Sequence, residues 1–146
     1  MNYSATLEDN VPDEVGEKIV GLVVEYNNSK AGPSNGRPLF VTLRDHAAEI
    51  RGGLSGATSR GWLFIDHLVV PEVSRGQGIG KRLVEMAEAE AIKRGCSNAW
   101  LNTFEFQARG FYEKLGYECF GELKNYPAGF SRFFMQRSLG PTQGAA

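Results

Sequence analysis

A short glycine-rich segment constrains the fold of this chain more than any other feature. It follows a run of aromatic and β-branched residues at 62–70 that Pro71 closes, which is typical of a buried strand. It precedes residues 78–94, where apolar positions recur at helical spacing and Gly95 provides the stop. A strand, a tight turn and a helix in this order predict an α/β arrangement.

Further elements are predicted on both sides of this unit. Alternating apolar and polar residues predict strands, and apolar residues three and four apart predict helices. Hairpin strands come first, then a β-α-β-α series, then two strands, which indicates a mixed α/β (α+β) sheet with flanking helices. The predicted strands cover residues 3–8, 39–44, 49–56, 62–70, 99–104, 117–123 and 130–138, and the predicted helices cover 12–28, 78–94 and 107–115.

The size of the chain indicates one domain. It has 146 residues, 42% of them hydrophobic, which is enough for a core without disulfides. We assign residues 1–139 to a single domain. Residues 140–146 carry no pattern and are predicted to form a disordered tail.

Charge and cysteine usage argue against several classes of protein. The net charge is −1, without the basic excess that nucleic-acid binding needs. Cys96 and Cys119 are far apart and have no metal-ligand spacing. No leader pattern is visible, and no apolar run approaches the ~20 residues of a membrane span. We therefore expect a cytoplasmic protein with no metal, no nucleic-acid partner and no membrane partner.

The glycine-rich turn itself predicts a phosphate site. Glycines let backbone N–H groups turn towards an anion, and the start of the following helix adds unpaired N–H groups. Arg75, Lys81 and Arg82 add positive charge around the turn. These features together favour a phosphate-bearing ligand.

Two familiar phosphate patterns do not match the turn. A Walker loop fails because Arg75 occupies its first glycine position. A dinucleotide fingerprint fails because its third glycine position holds Lys81 when counted from Gly76, and Leu83 when counted from Gly78. The turn is therefore neither a Walker loop nor a dinucleotide-binding fingerprint.

Two other motifs resemble those of the GNAT family of N-acetyltransferases. The family's pyrophosphate motif, Gln/Arg-x-x-Gly-x-Gly/Ala, is matched by Arg75, Gly78 and Gly80. A second motif of the family reads Ala-x-x-Leu/Phe-Tyr-x-Lys-x-Gly-Phe/Tyr, and it is matched by Ala108, Phe111, Tyr112, Lys114, Gly116 and Tyr117. The resemblance implies a central, mostly antiparallel sheet whose fourth and fifth strands splay apart.

The resemblance also implies the donor, acetyl-CoA, and the residues that hold it. In the family, the pantetheine arm lies between the splayed strands and the pyrophosphate lies on the glycine turn. An N–H group near Val70 would polarise the thioester carbonyl. The cofactor-binding residues implied are Leu68, Val69, Val70, Arg75, Gly76, Gln77, Gly78, Ile79, Gly80, Lys81, Thr103, Gln107, Phe111, Tyr112 and Lys114.

Three residues are candidates for the chemistry. Tyr112 matches the family's tyrosine, which protonates the departing thiolate, although packing alone would also explain an aromatic residue there. Asp66 shares strand parity with Leu68 and is predicted to be the base that deprotonates the amine; pairing with an arginine is the equal alternative. His67 is predicted to pack on the opposite face. Glu105, where many relatives have asparagine, is the third candidate.

The acceptor is predicted to be a primary amine, with a small molecule favoured over a protein. Tyr126 and Phe130, in and beside the turn between the last strands, are its predicted contacts. No cysteine lies beside a histidine as a nucleophile, so direct transfer in a ternary complex is expected. The alternative is a non-catalytic acetyl-CoA-binding sensor or scaffold. The aromatic run that includes Phe133 and Phe134 suits either the core or a homodimer interface.

Overall fold

The computed structural model describes residues 2–140. They form two compact units, one ending at Ser34 and the other beginning at Asn35. Residues 141–146 of the predicted tail lie outside the described residues, and the assignment of one domain stays a prediction. The elements are α1 (Asp13–Ala31), β1 (Arg37–Arg44), β2 (Ile50–Ser59), β3 (Trp62–Val69), a 3₁₀ turn (Glu72–Ser74), α2 (Ile79–Lys93), β4 (Asn98–Phe104), α3 (Arg109–Lys114), β5 (Glu118–Lys124) and β6 (Ser131–Ser138).

The N-terminal unit contains α1. This helix begins after Pro12 and has Asp13 and Glu14 in its first turn, where carboxylates suit the helix dipole. It continues to Ala31, beyond the predicted end at residue 28, because no breaker precedes Gly32. The strand predicted over residues 3–8 is wrong: these residues have no regular structure and are exposed. Alternation alone cannot form a strand, because its backbone groups need a neighbouring strand.

The C-terminal unit is a six-stranded sheet in the order β1-β2-β3-β4-β6-β5. Every neighbouring pair is antiparallel except β3 and β4, which are parallel and joined through α2. This confirms the mixed, mostly antiparallel sheet with flanking helices. Since the strand predicted over residues 3–8 is absent, the family's fourth and fifth strands correspond to β3 and β4.

One face of the sheet, which we call the helix face, carries the core. Alternate residues of the central strands, such as Leu63 and Leu101, are buried there with Met135 of β6. Val84 of α2 belongs to the same core, and fully burying each such side chain contributes about 1.5–3 kcal/mol. Phe133 is only 8% exposed within this core. Phe133, one residue of the aromatic run that suited either the core or a dimer interface, therefore belongs to the core.

The opposite face, which we call the aromatic face, carries Phe64 and Trp100, whose ring centroids are 4.4 Å apart. A β-bulge in β3 changes which later residues share this face. Ile65 lies opposite Gly56 while His67 lies opposite the preceding residue of β2, so Asp66 has no partner on β2. His67 therefore shares the aromatic face with Phe64, whereas Leu68 returns to the helix face.

The parallel strands β3 and β4 separate at this bulge. β3 and β4 pair over four residues each, from Trp62 with Asn98 to Ile65 with Leu101. Beyond these positions, β3 pairs on with β2 and β4 pairs on with β6, but not with each other. The register therefore confirms the splay expected from the family resemblance, and it leaves backbone groups of both strands facing a gap.

A buried polar network ties α2 to the last strand. The Tyr117 hydroxyl donates to Glu88 Oε2 at 2.8 Å, and Arg137 Nη1 donates to the Leu115 carbonyl at 2.6 Å. Burial raises the pKa of Glu88, whereas the Tyr117 hydrogen bond and the Arg137 charge act to lower it. Because the pKa stays above its ordinary value of 4.5, the stability that Glu88 contributes is fully present below that pH. It is lost as the pH rises through the folded-state value.

We expect Tyr117→Phe to destabilise the fold by about 1.5–3 kcal/mol near neutral pH, because the Glu88 carboxylate loses a charge-assisted hydrogen bond. The loss should be smaller in acid, where Glu88 is protonated. Urea unfolding at about pH 4 and about pH 7 measures both values. An equal loss at the two pH values would contradict the coupling between Tyr117 and Glu88.

Candidate functional site

A groove of about 770 Å³ lies where β3, the start of α2 and the start of α3 meet. Its walls combine apolar side chains with the glycine-rich turn, as expected for a ligand with an apolar arm and charged phosphates. Eleven predicted cofactor residues line it: Leu68, Val69, Val70, Arg75, Gly76, Gly78, Ile79, Gly80, Lys81, Gln107 and Phe111. Much of the predicted donor site is therefore brought together.

The start of α2 forms one end of this groove, which we call the anion-binding end because its geometry suits an anion. Gly78 has a φ of 78°, the left-handed region that favours glycine. The Arg82 N–H donates to the Gly78 carbonyl at 3.1 Å, so the N–H groups of Ile79, Gly80 and Lys81 have no acceptor within the helix. These donors, with the helix dipole behind them, suit a phosphate group.

Gly80 allows α2 and α3 to approach each other closely beside the groove. A Cβ atom at this position would lie 3.2 Å from Phe111 Cζ and 3.6 Å from Val70 Cγ2. A larger side chain would therefore push against both walls. The requirement for a small residue in the motif follows from this contact.

Four predicted cofactor residues do not line the groove: Gln77, Thr103, Tyr112 and Lys114. Thr103 is buried, and its Oγ1 accepts a hydrogen bond from the Ala108 N–H at 3.3 Å. The Phe104 N–H donates to Gln107 Oε1 at 2.9 Å. Thr103 therefore shapes the connection between β4 and α3. Its assignment as a ligand contact stays a prediction.

Sequence reasoning missed three residues that line the groove: Ser74, Phe106 and Ala108. Ala108 was already part of the second motif, and its place beside Phe111 in that motif was the available signal. Ser74 ends the 3₁₀ turn that precedes the glycines, and nothing in its local pattern marks it. Phe106 lies between two elements, where periodicity carries no information.

Tyr112 follows Phe111 in α3 and is only 6% exposed. Its ring packs edge-on against Phe111 and Tyr117, with centroids 5.0 and 5.8 Å away. Burial raises the pKa of Tyr112 to about 12, so the hydroxyl keeps its proton across neutral pH. The Tyr112 hydroxyl makes no hydrogen bond within residues 2–140. Every fully buried side-chain oxygen in those residues has a hydrogen-bond partner, so the Tyr112 oxygen is accessible to solvent.

Asp66 and His67 lie at the bulge, where the two parallel strands separate. The Asp66 side chain is 53% exposed and has Oδ1 3.6 Å from His67 Nδ1. The burial expected for Asp66 is therefore not found. Because Asp66 has no partner on β2, its strand parity with Leu68 stays a prediction. The prediction that His67 is packed is wrong, because its side chain is 79% exposed. The bulge reversed the alternation on which the expectation for His67 depended.

Glu105 is engaged by the first residue of β6. Its Oε1 accepts from the Ser131 N–H at 2.7 Å, and its own N–H donates to the Ser131 carbonyl at 2.8 Å. These contacts hold the end of β4 against β6 beyond the splay. A catalytic or donor-contact role for Glu105 stays a prediction.

Tyr126 and Phe130 belong to an aromatic cluster at the end of β4. Phe104 stacks on Phe106 with centroids 5.1 Å apart, and Phe106 meets Phe130 edge-on at 5.2 Å. The Arg132 guanidinium lies 4.7 Å from the ring centroids of both Phe104 and Tyr126. Phe106 also lines the groove, so this cluster begins at the groove's edge.

Among residues 2–140, no group of three or more histidine, cysteine, aspartate or glutamate side chains is arranged to hold a metal ion. Within the same residues, no helix has the length and apolarity needed to cross a membrane.

Comparisons with known proteins agree with this geometry. A family model for GNAT acetyltransferases matches residues 7–117. The chain is 39% identical over 137 residues to acetyltransferase Atu2258 of Agrobacterium fabrum, covering 94% of this chain and 98% of that protein. It is 38% identical over 92 residues to blasticidin-S acetyltransferase of Streptomyces morookaense, covering 62% and 68%. The crystal structure of an Agrobacterium tumefaciens protein described as an acetyltransferase matches with a TM-score of 0.87 at 38% identity, over 95% of this chain and 100% of that one.

We expect Lys81→Ala to raise the Kd for coenzyme A about tenfold, because Lys81 lines the groove at the anion-binding end. Arg82→Ala is the matched control, since the next residue of α2 carries the same charge but does not line the groove. Isothermal titration calorimetry with coenzyme A measures both. Equal weakening by the two substitutions would indicate a general charge effect and contradict a specific contact.

Proposed function

The chain belongs to the acetyltransferase (GNAT) family, and from that premise we propose that it transfers the acetyl group of acetyl-CoA to a primary amine. The acceptor in this proposal is a small molecule, and the amine attacks the thioester directly in a ternary complex. The observation that carries the proposal is one continuous groove, running from the phosphate-binding turn at Gly78 to the splayed end of β3 at Val69.

The donor fits this groove in two parts. The pyrophosphate would accept hydrogen bonds from the backbone between residues 77 and 81, with Arg75 and Lys81 adding charge. The pantetheine amides would pair with β3 backbone groups that β4 leaves unpaired beyond Ile65. The N–H of Val70 is the proposed donor to the thioester carbonyl, which carries negative charge when the amine attacks.

Tyr112 is the proposed general acid. Nitrogen forms a bond to the carbonyl carbon and loses one proton to a base, the carbon–sulfur bond breaks, and the sulfur takes the proton of the Tyr112 hydroxyl. Burial keeps that hydroxyl protonated before the reaction, and its oxygen is accessible. These two properties support the role, although the ring itself does not line the groove.

The acceptor proposal rests on the aromatic cluster and on one relative. Tyr126 and Phe130 are half-exposed beside Phe106, which lines the donor groove. Exposed aromatic rings suit a compact organic acceptor. The similar protein of Streptomyces morookaense is by its name an acetyltransferase of blasticidin S, a further reason to favour a small molecule.

Thiol release from acetyl-CoA, measured with a panel of small primary amines that includes blasticidin S, tests the proposed function. We expect one or more amines to accelerate thiol release, with acetylated amine formed in equal amount. Tight acetyl-CoA binding without amine-dependent release would instead favour the non-catalytic sensor. Absence of binding would exclude both.

We expect Tyr112→Phe to lower kcat for the best amine by about 10²-fold or more while the Kd for acetyl-CoA stays nearly unchanged. Its stability should also be unchanged, because the hydroxyl makes no hydrogen bond within the described residues. Tyr117→Phe is the matched control, since it removes a hydroxyl from the adjacent ring. That variant should lose stability and keep kcat.

A Tyr112→Phe variant with wild-type kcat would remove the acid from the mechanism. Loss of kcat in Tyr117→Phe, measured at a temperature where both variants stay folded, would show that the rate reports the packing of this aromatic cluster. The two variants therefore separate chemistry from structure.

A further inference from the structure

A second groove of about 450 Å³ lies over the first three strands of the sheet. Apolar side chains such as Phe40 and Val69 form most of its wall, and Thr42, Ser55 and His67 add polar groups. Val69 lines this groove and the donor groove alike. The two grooves therefore meet at the residue where β3 faces the gap left by β4.

The depression exists because β2 carries two adjacent glycines. Gly53 lies between Thr42 of β1 and Val69 of β3, so this row of the sheet lacks a central side chain. A Cβ atom on Gly53 would lie 2.4 Å from the Val41 carbonyl oxygen, and its φ of 145° disfavours other residues. The backbone itself thus requires glycine, and the groove follows.

His67 stands at the wall of this groove with one ring nitrogen engaged. Nδ1 is 3.2 Å from Ser55 Oγ and 3.6 Å from Asp66 Oδ1. No hydrogen bond or ion pair of Nε2 occurs among residues 2–140, and the side chain is largely exposed. The ring is therefore oriented through one nitrogen while the other stays accessible.

We propose that the groove over β1–β3 admits the acceptor amine and that His67 takes its proton through Nε2, with Asp66 as a positioning residue. This inference rests on the proposed function, because the amine and the thioester must meet at Val69. It assigns the base to the neighbour of the residue predicted from the sequence.

The surroundings of Nδ1 select the tautomer that this role needs. The negative charge of the Asp66 carboxylate, whose Oδ1 lies 3.6 Å from Nδ1, favours a proton on Nδ1, which then donates to Ser55 Oγ. Nε2 is left with its lone pair. Once Nε2 takes a proton, the Asp66 carboxylate also stabilises the positive ring.

Few other charges face His67 from the strands around it. From β2, Arg51 lines the groove, but its Nε donates to Asp45 Oδ2 at 2.8 Å, so that this pair is close to neutral. From β1, the lining residues Phe40 and Thr42 are uncharged. Asp66 is therefore the carboxylate that acts on the ring most directly.

The protons balance with those of Tyr112. The neutral amine attacks, the carbon–sulfur bond breaks, and nitrogen loses one proton to His67 Nε2 while sulfur gains one from the Tyr112 hydroxyl. Transfer of a proton from His67 to the Tyr112 oxygen through solvent restores both groups. The amide and the free thiol are the products, and no further reactant is needed.

The shape and polarity of the groove indicate the class of acceptor. Its volume lies within the range of small-molecule sites, and its wall offers no unpaired carboxylate for a polycation. Phe104 lies on the same sheet face as His67, across the splay, and belongs to the aromatic cluster with Tyr126. An amine with an uncharged, partly apolar body fits both surfaces.

The test uses the pH dependence of kcat/KM for the fastest amine of the panel. We expect His67→Gln to lower it by about 10²-fold at neutral pH and to remove the acidic limb of the profile. Asp66→Asn should keep the limb and lower the rate less. The control, His46→Gln, changes the histidine of the exposed β1–β2 turn and should leave the profile unchanged.

Two further measurements separate a positioning role from a structural one. Nitrogen-15 NMR of the histidine rings in the free protein should find neutral His67 protonated on Nδ1, and Asp66→Asn should reduce that form. Thr42→Trp, which places a ring over Gly53, should raise KM for the amine with kcat and coenzyme A affinity nearly unchanged.

Loss of the acidic limb in Asp66→Asn but not in His67→Gln would overturn the assignment and return the base to Asp66. An unchanged profile in both variants, with the wild type active, would overturn this inference and leave the proposed function intact. A wild type that releases no thiol with any amine would overturn the two together.

Discussion

The two grooves proposed as substrate sites depend on where the pairing of β3 with β4 stops. Four residues of each strand hold the parallel pair together, and beyond Ile65 and Leu101 each strand keeps only its outer neighbour. The helix crossover between them places the phosphate-binding turn at the same end of the sheet. Unpaired backbone, a helix start that suits an anion and two grooves therefore converge near Val69. A sheet that stayed paired to its end would offer none of these.

Two adjacent tyrosines illustrate how burial serves different ends in one core. The Tyr117 hydroxyl donates its hydrogen bond to Glu88, so it stabilises a carboxylate that would otherwise be costly to bury. Tyr112 packs just as deeply, but its hydroxyl has no partner within the described residues and stays accessible. A hydroxyl that packing holds in place, and that makes no hydrogen bond within the protein, is available for proton transfer. The same reasoning separates His67, with one nitrogen engaged, from Glu105, which is bound to the β6 backbone.

Much of the C-terminal unit could be predicted from the sequence. The strand expected over residues 62–70 is β3, and the helix expected over 78–94 is α2 within a residue at each end. Local periodicity and the glycine stop are sufficient there, because a buried strand and an amphipathic helix each carry their own signal. The strand expected over residues 3–8 failed because alternation records a preference for two faces, whereas a strand also needs a partner for its backbone. The groove over β1–β3 could not be predicted, since Phe40 and Val69 come together only through strand order.

The sequence by itself determined the glycine-rich turn before α2, because Gly78 and Gly80 meet backbone and contact requirements that other residues satisfy poorly. It also determined the family, through two motifs that can be recognised from their residue spacing without knowledge of the fold. The tertiary structure alone decided which face of the sheet carries His67. One residue without a partner on β2 reverses the alternation, and a bulge is a property of two strands in register. No single strand's sequence records it, because the hydrogen bonds that create it belong to the neighbouring chain segment.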